Sequence, residues 1–95
     1  MRKHARKDTN QDDIVKAFRN FGFTAHVTSQ LGNGFPDLVV GKHGVNYLVE
    51  IKDGTKPPSK RALTDDEFEF HWKWRGSIHI VESVDDVLRL AGRGE

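Results

Sequence analysis

The 95-residue chain has no cysteine. That absence removes disulfide staples, thiolate nucleophiles and cysteine-based zinc sites together. It also lacks an excess of charge: 15 Lys+Arg stand against 14 Asp+Glu, a formal net charge of +1. Gross charge therefore announces no nucleic-acid binder, and any such surface has to come from local clustering. No apolar run approaches the roughly 20 residues of a membrane span, and the basic start carries no hydrophobic stretch of the signal-peptide kind, so no membrane partner is expected and the cytoplasm is the default location. His4, His26, His43, His71 and His79 fall into no HExxH or other close ligand spacing, which argues against a histidine-held zinc. GxxxxGK[ST] and GxSxG are also missing, and with them the nucleotide-binding P-loop and the serine elbow. The chain offers oxygen donors and lysines instead.

What is present fits one small domain with a limited core, at 36% hydrophobic residues. Residues 1–8 read as a flexible basic arm, either a solvated terminus or a segment that gains from counterion release on phosphates. The domain proper runs over 9–95. Ile14, Ala17, Phe18 and Phe21 have the spacing of one helical face, with Asn10 or Thr9 as N-cap and Gly22 as terminator. FTAHVTSQ, residues 23–30, alternates as a first strand, and LGNG follows as a turn. LVV and YLV then read as two strands of a hairpin around Gly41, Lys42, His43 and Gly44. After the breakers Gly54, Pro57 and Pro58, Thr64 and Glu67 form a capping box opening a helix through about Trp74. Phe68, Phe70, Trp72 and Trp74 give that helix aromatics on more than one side, with core packing the default and a dimer contact or base-stacking platform as alternatives. SIHIVE alternates as a last strand, and Ser83 with Asp86 makes another capping box before VDDVLRLA, which ends at Gly92. The order αβββαβα predicts an α/β fold. The crossover from third to fourth strand favours a parallel pairing, which makes the four-stranded sheet mixed, with helices flanking it.

The centre of the chain is GFPDLVVGKHGVNYLVEIKDG, Gly34 to Gly54. If Gly41 and Asn46 close the turn, antiparallel register sets Asp37 across from Glu50, and alternation puts Lys52 on the same face as Glu50 while Tyr47, Val49 and Ile51 point the other way. Taken singly, Asp37 also reads as a turn residue and Glu50 with Lys52 as a solvated same-face pair. Together, two opposed carboxylates beside a buried apolar run repel each other, and a divalent cation removes the conflict. Hard oxygen donors select Mg2+ or Mn2+. Around this centre, Lys56, Lys60 and Arg61 form the densest basic loop after the N-terminus, as a DNA-phosphate contact or as a solvated connector. Ser29 and Gln30 are candidates for phosphate contact or a solvated strand end. Gly32 and Gly34 either let a substrate backbone approach or serve a plain turn. His71, one turn after Glu67, has a spacing compatible with a shared ligand, though it reads first as a partner of Glu67 on the helix surface.

Pro36-Asp37 followed by Glu50-Ile51-Lys52 resembles the PD-(D/E)xK motif of the restriction-endonuclease-like nucleases. With NQDDIV before it and LTDDEFEFHWKWRG and SVDDVLRL after it, most of the chain is similar to the small stand-alone VRR-NUC branch. The resemblance implies a restriction-endonuclease-like core and a metal-dependent DNA endonuclease. Asp37, Glu50 and the main-chain carbonyl of Ile51 would hold the metal, and Lys52 would serve the reaction. It aligns Asp13 with a helix-one acid that joins the metal site in such proteins, with Gln11 as a weaker candidate beside it. It also exposes one departure, because Glu67 stands where such proteins often carry Gln. The implied substrate is branched, flapped or four-way junction DNA, cut by a homodimer or nicked alongside phage or host repair and replication proteins. The alternative is a catalytically silent nucleic-acid-binding module with the same fold.

Overall fold

The computed structural model describes residues 9–92; the basic arm at 1–8 lies outside them. Helix α1, Gln11–Asn20, buries Ile14, Val15, Ala17 and Phe18 along one stripe and carries Asp12 and Asp13 in its first turn, where negative charge suits the helix dipole. Asn10 is its N-cap, yet the side chain makes no capping bond. Its Nδ2 donates instead to the main-chain oxygens of Lys52 at 3.2 Å and Glu82 at 3.4 Å, tying the helix start to the strand ends. Gly22, at φ 90°, turns the chain after α1 in a conformation that favours glycine.

Strand β1 is Thr24–Val27, shorter than the alternation suggested. Thr28 ends it: its N–H donates to Asp37 O at 2.7 Å and its Oγ1 to Pro36 O at 2.8 Å. The chain then folds into a 3-10 turn, Ser29–Leu31. Strands β2, Leu38–Lys42, and β3, Val45–Ile51, are joined by His43 and Gly44, both at positive φ, 54° and 78°, as a two-residue hairpin turn of type I′ requires. The register pairs Gly41 with Asn46 and Leu38 with Val49, as the sequence predicted.

Beyond β3 a one-turn helix α2, Pro58–Arg61, occupies a stretch whose prolines suggested only irregular structure; proline is tolerated in a first helical turn, where no N–H partner is needed. Helix α3, Asp65–Lys73, opens with the expected box: Thr64 Oγ1 accepts from Glu67 N–H at 3.2 Å and a Glu67 carboxylate oxygen from Thr64 N–H at 2.9 Å. Strand β4, Ile78–Val81, and helix α4, Val84–Ala91, follow. The second box does not form. Ser83 makes no side-chain cap, and Asp86 Oδ2 accepts from Glu82 N–H at 2.8 Å instead.

The sheet order is β1-β2-β3-β4, antiparallel except for β3 and β4, which run parallel with Ile51 beside Val81. The result is the mixed sheet of an α/β fold with helices against it. On one face Leu38, Val40, Val49, Ile51 and Val81 pack with Ile14, Phe18, Val87 and Leu90 of α1 and α4. Each such side chain contributes about 1.5–3 kcal/mol on burial. Because alternation is strict, the intervening residues of β2 and β3 must occupy the opposite face.

Candidate active site

That opposite face carries the motif. One step past the last paired residues of β2 and β3, the register sets Asp37 against Glu50. Asp37 is fixed on every side of its peptide and side chain. Its N–H donates to Val49 O at 2.9 Å, its carbonyl accepts from Thr28, and its Oδ2 accepts from Ile51 N–H at 2.8 Å. The last bond puts the Asp37 carboxylate beside the Ile51 peptide. Asp37, Glu50 and Lys52 are all buried, Glu50 at only 2% exposure.

Helix α3 lies over this group. Glu67 Oε1 accepts from Lys52 Nζ at 2.7 Å, and His71 Nε2 stands 3.9 Å from Glu50 Oε1. A helix turn of four residues rises about 6 Å and two strand residues span about 6.6 Å, so residues 67 and 71 match the spacing of 52 and 50. The close approach depends on Gly34. At φ 83°, a Cβ there would lie 2.3 Å from the Asp66 carbonyl oxygen. The glycine in the loop before Asp37 thus makes room for α3, where the sequence suggested room for a substrate backbone or a plain turn. Phe35 packs edge-on against Phe70, which stacks on Trp74. No residue of α3 is buried, contrary to core packing as the default for its aromatics, and Phe68 and Trp72 face outward, Trp72 at 79% exposure.

The electrostatics are unbalanced. Burial, then the negative charges of Asp37 and Glu67, push the Glu50 carboxyl from 4.5 up to about 10, so at neutral pH it holds a proton. Burial also opposes ionisation of Glu67, but hydrogen bonds from Lys52 and Thr64 and the lysine's charge outweigh it and keep that carboxyl below its ordinary value. Burial lowers the His71 imidazole, with Glu67 opposing and Lys52 adding to the shift. Glu50 Oε1 and His71 Nε2 are buried without hydrogen-bond partners. A buried, opposed acid pair of hard oxygen donors suits a divalent cation. Among the described residues no three His, Asp or Glu side chains converge as a metal-holding group, so a cation here would draw on Asp37, Glu50 and main-chain oxygen.

The other candidates fall around this centre. Asp13 is exposed on α1, and no hydrogen bond or ion pair among the described residues ties it to the acid pair. Its neighbour Gln11 is 2% exposed, donates to Ser29 Oγ at 3.4 Å and leaves its Oε1 buried without a partner. Ser29 and the exposed Gln30 lie in the 3-10 turn. Lys56 and Lys60 are exposed. Arg61 is engaged within the protein, its Nε donating to Lys56 O at 2.7 Å and its NH1 pairing with Glu82 at 3.2 Å. His71 was underrated by sequence reasoning: it faces Glu50, and the one signal for it was its four-residue step from Glu67. No helix among the described residues is long and apolar enough to cross a membrane.

No family model and no curated protein matches the sequence. A solved structure titled "VRR_NUC domain" is similar in fold, with a TM-score of 0.65 at 25% identity, over 90% of this chain and 92% of that one. The mixed sheet, the hairpin that opposes Asp37 to Glu50 and this likeness agree, and in fold the chain is a small VRR-NUC nuclease-like domain.

Proposed function

We propose that the chain is a divalent-metal-dependent deoxyribonuclease that hydrolyses phosphodiester bonds. The observation that carries this reading is the buried, mutually opposed Asp37–Glu50 pair with Lys52 on the same sheet face. Asp37 and Glu50, with the Ile51 carbonyl, would hold Mg2+ or Mn2+, which supplies Lewis acidity toward a phosphodiester when bound. Lys52 carries a charged, three-donor ammonium into a water-poor site, where it offsets negative charge developing on the phosphoryl oxygens. Glu67 orients that ammonium through the 2.7 Å bond. Asp13 remains an additional metal ligand in this proposal only by alignment.

Exposed Lys56 and Lys60, with Ser29 and Gln30 near the motif loop, would contact DNA phosphates, while Arg61 braces the basic loop. No base-reading module is evident among the described residues, so the proposed substrate preference is for DNA shape: branched, flapped or four-way junctions. Outward-facing Phe68 and Trp72 give apolar surface for a homodimer, whose two-fold axis suits paired cuts in a junction, within repair or recombination. Cleavage of linear, flapped and four-way DNA, with and without Mg2+ or Mn2+, tests the proposal. Metal-dependent products lost in Lys52→Ala are expected. Binding without cleavage at any metal concentration would favour the catalytically silent module. Light scattering reads the assembly, and a monomer both free and on junction DNA would favour nicking.

A further inference from the structure

We propose that His71 is a positioning residue of this site, one that holds Glu50 Oε1 and thereby leaves the other carboxylate oxygen to face Lys52 and the cation. The inference rests on the metal-dependent reading above and adds a residue to it. The two oxygens of Glu50 are already divided in this way: Oε2 is 3.9 Å from Lys52 Nζ and Oε1 is 3.9 Å from His71 Nε2. Both His71 Nε2 and Glu50 Oε1 are buried, and neither has a hydrogen-bond partner.

Two buried polar atoms left facing each other are costly unless they meet, since each has lost its water. Their separation exceeds a hydrogen bond by about 1 Å, a gap that a small torsional change in either side chain closes. An imidazole with its hydrogen on Nε2 has one donor to give, and the carboxylate that Glu50 becomes when a cation displaces its proton accepts it, so the pair is chemically matched in the metal-bound state. The other charged groups facing this oxygen pair are Asp37, Lys52 and Glu67. Lys52 is engaged by Glu67 and Asp37 accepts from Ile51 N–H, while His71 Nε2 faces Oε1 at 3.9 Å. Its placement is not incidental. His71 lies one turn beyond Glu67, whose position is set by the capping box and by Lys52, so the helix that fixes the lysine also brings the imidazole over the acid.

Residues that orient a metal-holding carboxylate typically change metal affinity by about 10–100-fold when removed. The test is Mn2+ and Mg2+ binding to the full chain by calorimetry, with the metal-free melting temperature measured in parallel. His71→Phe, which keeps the bulk and removes the donor, is expected to weaken binding about tenfold or more. His71→Gln, whose amide nitrogen reaches the same place, is expected to bind within about threefold of wild type. On a cleaved DNA, kcat should fall in His71→Phe while KM stays unchanged. Wild-type affinity in His71→Phe would overturn the inference alone, leaving the nuclease reading intact. Equal weakening in His71→Gln, with a lowered metal-free melting temperature in both variants, would assign His71 to packing and also overturn it. Failure of the wild-type chain to bind either metal would remove the metal-dependent reading and this inference with it.

Discussion

The two faces of the sheet are built from the same strands by opposite means. On one, Leu38, Val40, Val49 and Ile51 pack against apolar side chains of α1 and α4. On the other, Asp37, Glu50 and Lys52 are also buried, yet their covering helix α3 has no buried residue and grips the sheet through Glu67, the Phe35–Phe70 contact and the space left by Gly34. Non-directional burial stabilises the first face. The second is held by a few directional contacts around a charge arrangement that is unfavourable by itself. The comparison teaches that the apolar packing and the proposed site lie on different sides of one sheet, so that substitutions are expected to damage them separately.

Breaking the chemical side should give the largest effect. Glu50→Gln is expected to reduce metal-dependent cleavage roughly 10³-fold while DNA binding is kept and the metal-free melting temperature is not lowered. A variant that cleaves at the wild-type rate would sink the site assignment. Breaking the apolar side should do the reverse. Phe18, fully buried against Phe23, costs about 3–5 kcal/mol when cut to alanine, read by urea unfolding. Below the transition the folded fraction should retain its turnover.

A third measurement sharpens the contrast. Glu50 in the folded protein holds its proton up to about pH 10 against an ordinary value of 4.5, whereas the unfolded chain releases it near that ordinary value. Between those limits the folded state binds more protons, so the metal-free protein loses stability as pH rises, by at most about 1.4 kcal/mol per unit. Stability present near pH 5 should be visibly lower at pH 8, and Glu50→Gln should flatten the dependence. Metal binding at pH 7 should release about one proton, measured from calorimetric heats in buffers of different ionisation enthalpy. The smallest effect is expected at the joint between the faces. Gly34→Ala meets the Asp66 backbone and a positive φ, costing about 1–3 kcal/mol and impairing cleavage more than the core, as amide exchange confined to α3 would reveal.

Much of this architecture was legible because its determinants are local. His43-Gly44 sets a two-residue turn, the turn sets register, and register opposes Asp37 to Glu50. Thr64 and Glu67 are three residues apart and announce α3 by themselves. What was not legible depends on partners distant in sequence. β1 stops early because Thr28 bonds to Pro36 and Asp37. Ser83 gives up its capping role while Asp86 takes the Glu82 N–H. The orientation of α3, and with it the inward turn of His71, is decided by Gly34 and Phe35 more than thirty residues earlier. Periodicity could not find it, since α3 has no buried stripe to betray which side meets the sheet.

One oxygen, Glu67 Oε1, accepts both from the Thr64 N–H that begins α3 and from the Lys52 ammonium. A rotation of that side chain which frees the lysine also uncaps the helix. The first turn of α3 and the readiness of Lys52 therefore rise and fall as one cooperative unit. The apolar core does not include that unit, so on the proposed function α3 is expected to open locally, freeing Lys52, while the interior stays packed.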